Sequence, residues 1–186
     1  TTRLSTGFRL SASRDNWRAN MRTQAILATF DDQILDTSED YIIVAGAFDG
    51  AYRFENGMSL IGRGAWQSAQ DDLLPGDLLF SIGGATTVRG YPADGVAGDS
   101  GIYANFELHK SFEVAGQTFS GYALLDWGKV FSTFPTDTTL ASIGIGASYS
   151  FEEYGRLDLS VAFPVEDAVS DQTEATLSAT YSIIRH

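Results

Sequence analysis

Residues Ile102–His109 read Ile-Tyr-Ala-Asn-Phe-Glu-Leu-His, so that Ile102, Ala104, Phe106 and Leu108 share one face and Tyr103, Asn105, Glu107 and His109 the other. A period of two is the pattern of a strand with a single apolar face. Outward from this stretch the pattern repeats. Downstream, Phe119, Ala123, Leu125 and Trp127 oppose Ser120, Tyr122 and Asp126, and Ala141, Ile143, Ile145, Ala147, Tyr149 and Phe151 oppose Ser142, Gly144, Gly146, Ser148 and Ser150. Two further segments follow, around Leu157–Phe163 and Leu177–Ile183. Upstream lie Leu4–Ala12, Trp17–Leu27, Ile42–Phe54 and Met58–Ser68, the last two joined by the hairpin residues Glu55-Asn56-Gly57. The reading is all-β, with about nine strands and no convincing helix.

A water-soluble β-sandwich also alternates, but three features favour a transmembrane antiparallel β-barrel. Most of the segments are longer than ordinary strands and match the ~9–11 residues that cross a bilayer at a tilt. Aromatic residues gather near strand ends (Trp17, Tyr41, Phe54, Trp66, Trp127, Tyr149, Phe151, Tyr181), as interfacial girdles require. The connections also alternate in length. Ser13–Asn16, Glu55–Gly57, Val114–Gln117 and Glu152–Gly155 are short, whereas about Asp31–Asp40, Asp71–Asp99, Ser132–Thr139 and Glu166–Gln172 are long. Short turns on one side and long loops on the other are an outer-membrane pattern. An odd strand number does not close a bacterial barrel, so residues 1–186 are expected to be part of a larger one.

Composition narrows the function. The 186 residues carry 24 acids against 12 lysines and arginines, a net charge of −12. That disfavours nucleic acid as a partner, which would demand a basic surface. Acids crowd the long-loop side (Asp31, Asp32, Asp36, Glu39, Asp40, Glu166, Asp167, Asp171) as a solvated rim, with divalent-cation bridging to lipopolysaccharide as the sharper alternative. There is no cysteine, and the two histidines, His109 and His186, make a histidine metal site improbable; no metal or cofactor is expected. No apolar run reaches the ~20 residues of a membrane helix. Thr1-Thr2-Arg3-Leu4 has no charged leader before an apolar core, so the chain is expected to start within a mature protein.

One stretch departs from the alternation: Gly83–Gly101, GGATTVRGYPADGVAGDSG, the glycine-rich end of the long connection 71–99. Its glycines permit sharp turns, and Pro92 stiffens the chain after Arg89-Gly90-Tyr91. Such a loop can fold back into a lumen. Arg89 would then need partners, because a lone buried guanidinium is costly. Glu107 and Asp126 lie on the polar face of two strands joined at Ala115-Gly116. Symmetric pairing about that turn sets Asp126 opposite Asn105 and makes Glu107 its diagonal neighbour at about 7–8 Å. Two such carboxylates suit a forked cation. A solvated Arg89 above two ordinary lumen acids fits the spacing equally well.

Motifs add to this reading. Val88-Arg89-Gly90-Tyr91 after Gly83-Gly84 resembles the VRG(Y/F) signature of outer-membrane polypeptide-transporting barrels. Gly98-Asp99-Ser100-Gly101 followed by Asn105-Phe106-Glu107-Leu108 resembles the next-strand segment of those proteins. Leu124-Leu125-Asp126-Trp127-Gly128 resembles their F-x-D-x-G motif, with Leu124 in place of an aromatic. The whole is most similar to the two-partner secretion transporters of the haemolysin-activator and filamentous-haemagglutinin type, and the likeness covers nearly the entire chain. It implies a sixteen-stranded barrel in the outer membrane of a Gram-negative bacterium, of which this chain would be the last nine strands, with periplasmic POTRA domains ahead of them. It further implies export of a large unfolded partner polypeptide and a loop-to-barrel lock of Arg89, Gly90, Tyr91, Glu107, Asp126 and Gly128, with Arg89 on Asp126 and near Glu107. Ile184-Arg185-His186 departs from the pattern in lacking a terminal aromatic.

Catalysis is not expected. Gly98-Asp99-Ser100-Gly101 superficially resembles a serine nucleophile motif, but His109 would face the lumen beyond Glu107 rather than serve as a base for Ser100. The Gly144/Gly146 repeat lies within a strand and is no phosphate loop; those glycines are expected to make room for the folded-in loop. A barrel-assembly insertase of the same superfamily and a passive pore are the competing functions.

Overall fold

The computed structural model describes residues 1–32, 37–93, 95–131, 137–151, 155–168 and 174–183. Eleven strands follow in order: β1 Thr2–Arg14, β2 Trp17–Asp32, β3 Thr37–Arg53, β4 Met58–Ala69, β5 Phe80–Ile82, β6 Val96–Gly98, β7 Ser100–Val114, β8 Gln117–Phe131, β9 Thr138–Phe151, β10 Gly155–Pro164 and β11 Thr176–Ile183. Nine of them form one antiparallel sheet in the order β1-β2-β3-β4-β7-β8-β9-β10-β11, and β5 pairs with β6 alone. The sheet is open, with β1 and β11 at its two ends among the described residues. Neighbours in sequence are neighbours in space except where the connection between β4 and β7 intervenes.

The alternation is turned inside out relative to a soluble protein. On β8, Leu125 is 50% and Trp127 40% exposed, while Asp126 between them is fully buried. Phe106 and Leu108 on β7, and Ile143 and Ile145 on β9, are likewise exposed, whereas Asn105, His109 and Ser142 are buried. An apolar outer face over a polar inner one is what a bilayer outside and a wet interior demand, and it excludes the sandwich.

Tight turns fix the register. At the β7–β8 hairpin Val114 pairs with Gln117, and Ala115 and Gly116 take φ of 52° and 77°, the two left-handed residues of a type I′ turn. Counting back from it sets Asn105 opposite Asp126, as symmetric pairing predicts. Asp15-Asn16 closes β1–β2 in the same number of residues, with Arg14 opposite Trp17. At the end carrying these turns an aromatic row runs over the outer face: Phe112–Phe119, Phe119–Tyr149, Tyr149–Phe151 and Phe151–Tyr181, with centroids 4.6–6.4 Å apart.

Two expectations change, and one connection gains detail. The Asp31–Asp40 connection is mostly ladder, because β2 and β3 stay paired as far as Asp32 and Thr37; a backbone ladder continues past the apolar band without needing alternation. Asp36, Asp171, the Glu152 turn and Ile184–His186 lie outside the described residues. Tyr41 is no girdle residue. Since Ile42 and Val44 face out, Tyr41 and Ile43 face in, where they are buried with Ala28. Finally, the long connection 71–99 has structure of its own, a 3₁₀ turn at Gly76–Leu78 and the β5–β6 ladder.

Candidate functional site

The connection between β4 and β7 lies against the inner face of the sheet. Its first part is seated by Leu74 and Leu78, buried against Ala28, Tyr41 and Ile43. Two hydrogen bonds from Gln67 Nε2 hold its two ends together, to the carbonyls of Leu78 (2.8 Å) and Asp99 (3.0 Å). Asp99 Oδ1 accepts the Leu74 amide at 2.8 Å. On the far side Asp77 receives Arg3 at 3.0 Å. Its carboxyl is held below its ordinary pKa by hydrogen bonding from Thr1 first and Arg3 second.

Beyond β5 the chain turns at Gly83 and Gly84 (φ 116° and 86°), and a Cβ on Gly83 would stand 2.4 Å from the Pro92 carbonyl oxygen. Only glycine fits that turn. Thr87 Oγ1 braces it, accepting the Gly83 amide and donating to the Gly83 carbonyl, each at 2.8 Å. Asn105 Nδ2 donates to the Thr87 carbonyl. The turn thereby presents Val88, Arg89 and Tyr91, all buried.

Arg89 makes four contacts with two acids. Its Nε and Nη2 donate to Asp126 Oδ2 and Oδ1 at 2.7 and 2.8 Å, its own amide to Asp126 Oδ2 at 3.1 Å, and its Nη1 to Glu107 Oε1 at 2.6 Å. Asp126 is fully buried and Arg89 5% exposed. Burial alone would lower the guanidinium pKa, but Asp126 and then Glu107 outweigh it and push it above its ordinary value. Arg89 is therefore a permanent cation in a bidentate fork, the arrangement for which lysine has no equivalent.

Gly90, Tyr91 and Gly128 complete the group. Gly90 has φ 94°, and a Cβ there would meet Pro164 at 3.2 Å. Tyr91 Oη donates toward the carbonyls of Ala141 (2.8 Å) and Glu166 (2.9 Å) and accepts the Glu166 amide at 3.1 Å, so it ties the loop to β9 and to the end of β10. Gly128 leaves the space that Val88 and Ile82 fill, their methyls 3.1 Å from where its Cβ would be. Of the six residues singled out in the sequence, Arg89, Glu107 and Asp126 are in direct contact, whereas Gly90 and Tyr91 meet Pro164, β9 and Glu166, and Gly128 meets Val88 and Ile82.

Several neighbours were not singled out as site residues. Glu107 Oε2 bonds His109 Nε2 at 2.9 Å, and Arg63 approaches Oε1 at 3.8 Å. The His109 ring stacks on Tyr122, whose hydroxyl donates to Asp158 at 2.6 Å. Tyr122 lies over Gly146, where a Cβ would be 2.2 Å from its ring. That glycine makes room for a tyrosine, not for the loop. The signal was there in the inward parity of Arg63, His109, Tyr122 and Asp158. Ser100 Oγ accepts the Ala69 amide at 2.9 Å.

A wall of bilayer-length antiparallel strands, apolar outside and polar inside, with a loop arginine held by acids on its inner face, is part of a transmembrane β-barrel. The chain belongs to the haemolysin secretion/activation protein family ShlB/FhaC/HecB, whose sequence profile matches residues 7–149. Members are outer-membrane transporters of Gram-negative bacteria that serve two-partner secretion, and this chain is a transporter of that secretion/activation kind. No curated protein matches it.

Proposed function

We propose that this chain builds the wall of an outer-membrane pore that exports a large unfolded partner polypeptide, gated by the loop bearing Val88-Arg89-Gly90-Tyr91. On this reading residues 1–186 are the carboxyl-terminal strands of one sixteen-stranded barrel, preceded by further strands and by periplasmic POTRA domains. Bilayer lipid meets the exposed apolar face, and lipopolysaccharide meets the acidic long-loop end. At rest the loop occludes the lumen, and Arg89, Gly90, Tyr91, Glu107, Asp126 and Gly128 act as its lock. Displacement of the loop lets an extended chain pass.

The observation that carries this reading is the fork from Arg89 to Asp126 and Glu107. Passive pores need no such clamp. Family membership favours export over membrane insertion. Taking one partner from a buried ion pair costs about 3–5 kcal/mol, a more than hundredfold shift in the loop's equilibrium. Arg89→Ala in the full-length protein is therefore expected to impair appearance of the partner in the medium, while heat-modifiable gel migration shows the barrel still inserted. Unchanged secretion by an inserted variant would sink the gating role.

A further inference from the structure

The inner face of β1–β4 concentrates positive charge in a strongly acidic chain. Arg3 and Arg9 on β1, Arg18 and Arg22 on β2, Arg53 on β3 and Arg63 on β4 all take the inward parity, opposite to Leu4, Leu10, Met21, Tyr52 and Leu60. Those six are half of the 12 lysines and arginines present. Arg3 is engaged by Asp77 and Arg63 by Glu107. Arg9, Arg18, Arg22 and Arg53 are all exposed on this face.

Arg9 and Arg22 also stand directly opposite one another in the β1–β2 register, an arrangement that repels unless an anion intervenes. One acid faces this region, Asp49, which stands opposite Arg63 and accepts a hydrogen bond from Asn20 Nδ2 at 2.8 Å, and a single carboxylate leaves the arginine face positive. Beside the loop the two arginines border a cleft of about 610 Å³, whose lining includes Gln24, Gln67 and Phe80. Its two guanidinium groups select the sign of what binds there.

Building on the export reading above, we propose that this wall is a docking surface for carboxylate-bearing segments of the polypeptide in transit, which makes the exported partner an acidic chain. The geometry supplies a spacing as well as a sign. An extended chain lying along β2 rises by the same ~3.3 Å per residue as the strand itself. Aspartates or glutamates four residues apart on it therefore meet Arg22 and Arg18 together, and each guanidinium fork donates two bonds to a carboxylate.

The test uses the full-length protein in nanodiscs and three fluorescent, otherwise glycine–serine peptides carrying Glu, Gln or Lys at every fourth position. The Glu peptide is expected to bind, more weakly as salt rises, and the Gln and Lys peptides to bind far less. Two exposed pairs support a loss of about three- to tenfold in Glu-peptide affinity for the double variant Arg9→Gln/Arg22→Gln. The Arg9→Lys/Arg22→Lys variant keeps the charge and is expected to retain most of the binding, which separates loss of charge from loss of fold. Equal binding of Glu and Lys peptides, or an affinity untouched by the Gln substitutions in an inserted protein, overturns the proposal. If Arg89→Ala blocks export while the peptides bind alike, this inference alone fails. If the Glu peptide binds as expected but Arg89→Ala exports normally, the gating role alone fails.

Discussion

Asp126 shows how one residue can be legible in a sequence while its consequences are not. Its place opposite Asn105 follows from a two-residue turn and simple counting, and the structure has that register. Its complete burial does not follow, because Arg89 reaches it across the sheet from a distant loop. Asp126 accepts three hydrogen bonds from Arg89. Asp126→Asn keeps the shape but removes the charge and one acceptor, leaving Glu107 as the one anion Arg89 touches. We expect loss of about 3 kcal/mol or more of loop attachment, read as greater protease cleavage near Gly83–Gly95 with the strands still protected. Protection equal to that of the parent protein would show that the charge pair does not hold the loop.

At the scale of elements, the strands were readable because each turns one apolar face to lipid, and a period of two records that directly. The loop was harder to read. β5 and β6 are three residues each, too short for periodicity to register, and their pairing depends on Gln67, a side chain on another strand that closes the loop's neck. Tyr41 departs from the girdle for a related reason. A tyrosine near a strand end suits a girdle, and only the parity set by Ile42 and Val44, with Leu74 and Leu78 covering it, turns it inward. Tyr91 anchors the opposite end of the loop through its hydroxyl. Tyr91→Phe keeps the buried ring but strips those bonds, and an expected cost of about 1–2 kcal/mol should appear as faster hydrogen exchange confined to the loop and the start of β9. Exchange accelerated over the whole sheet, or nowhere, would contradict that anchoring role.

For the whole molecule, the outer face makes a physical demand of its surroundings. Ile145, 66% exposed on β9, lies between Ile143 and Ala147 along the apolar band. Ile145→Arg should reduce folding stability in vesicles by about 2–4 kcal/mol if that band lies at the bilayer midplane, as measured by urea titration of heat-modifiable migration. A negligible change would place the residue away from lipid. The arrangement of the site also says something about the order in which such a wall comes together. Glu107 and Asp126 belong to a single hairpin whose turn nucleates through contacts close in sequence, and contacts of that kind form sooner than distant ones. The receptor half of the clamp can thus be complete, two negative charges already side by side and mutually repelling, before the arginine swings in. The late arrival relieves that repulsion, so the loop is drawn to its seat by the very tension that two adjacent strands create on zipping up.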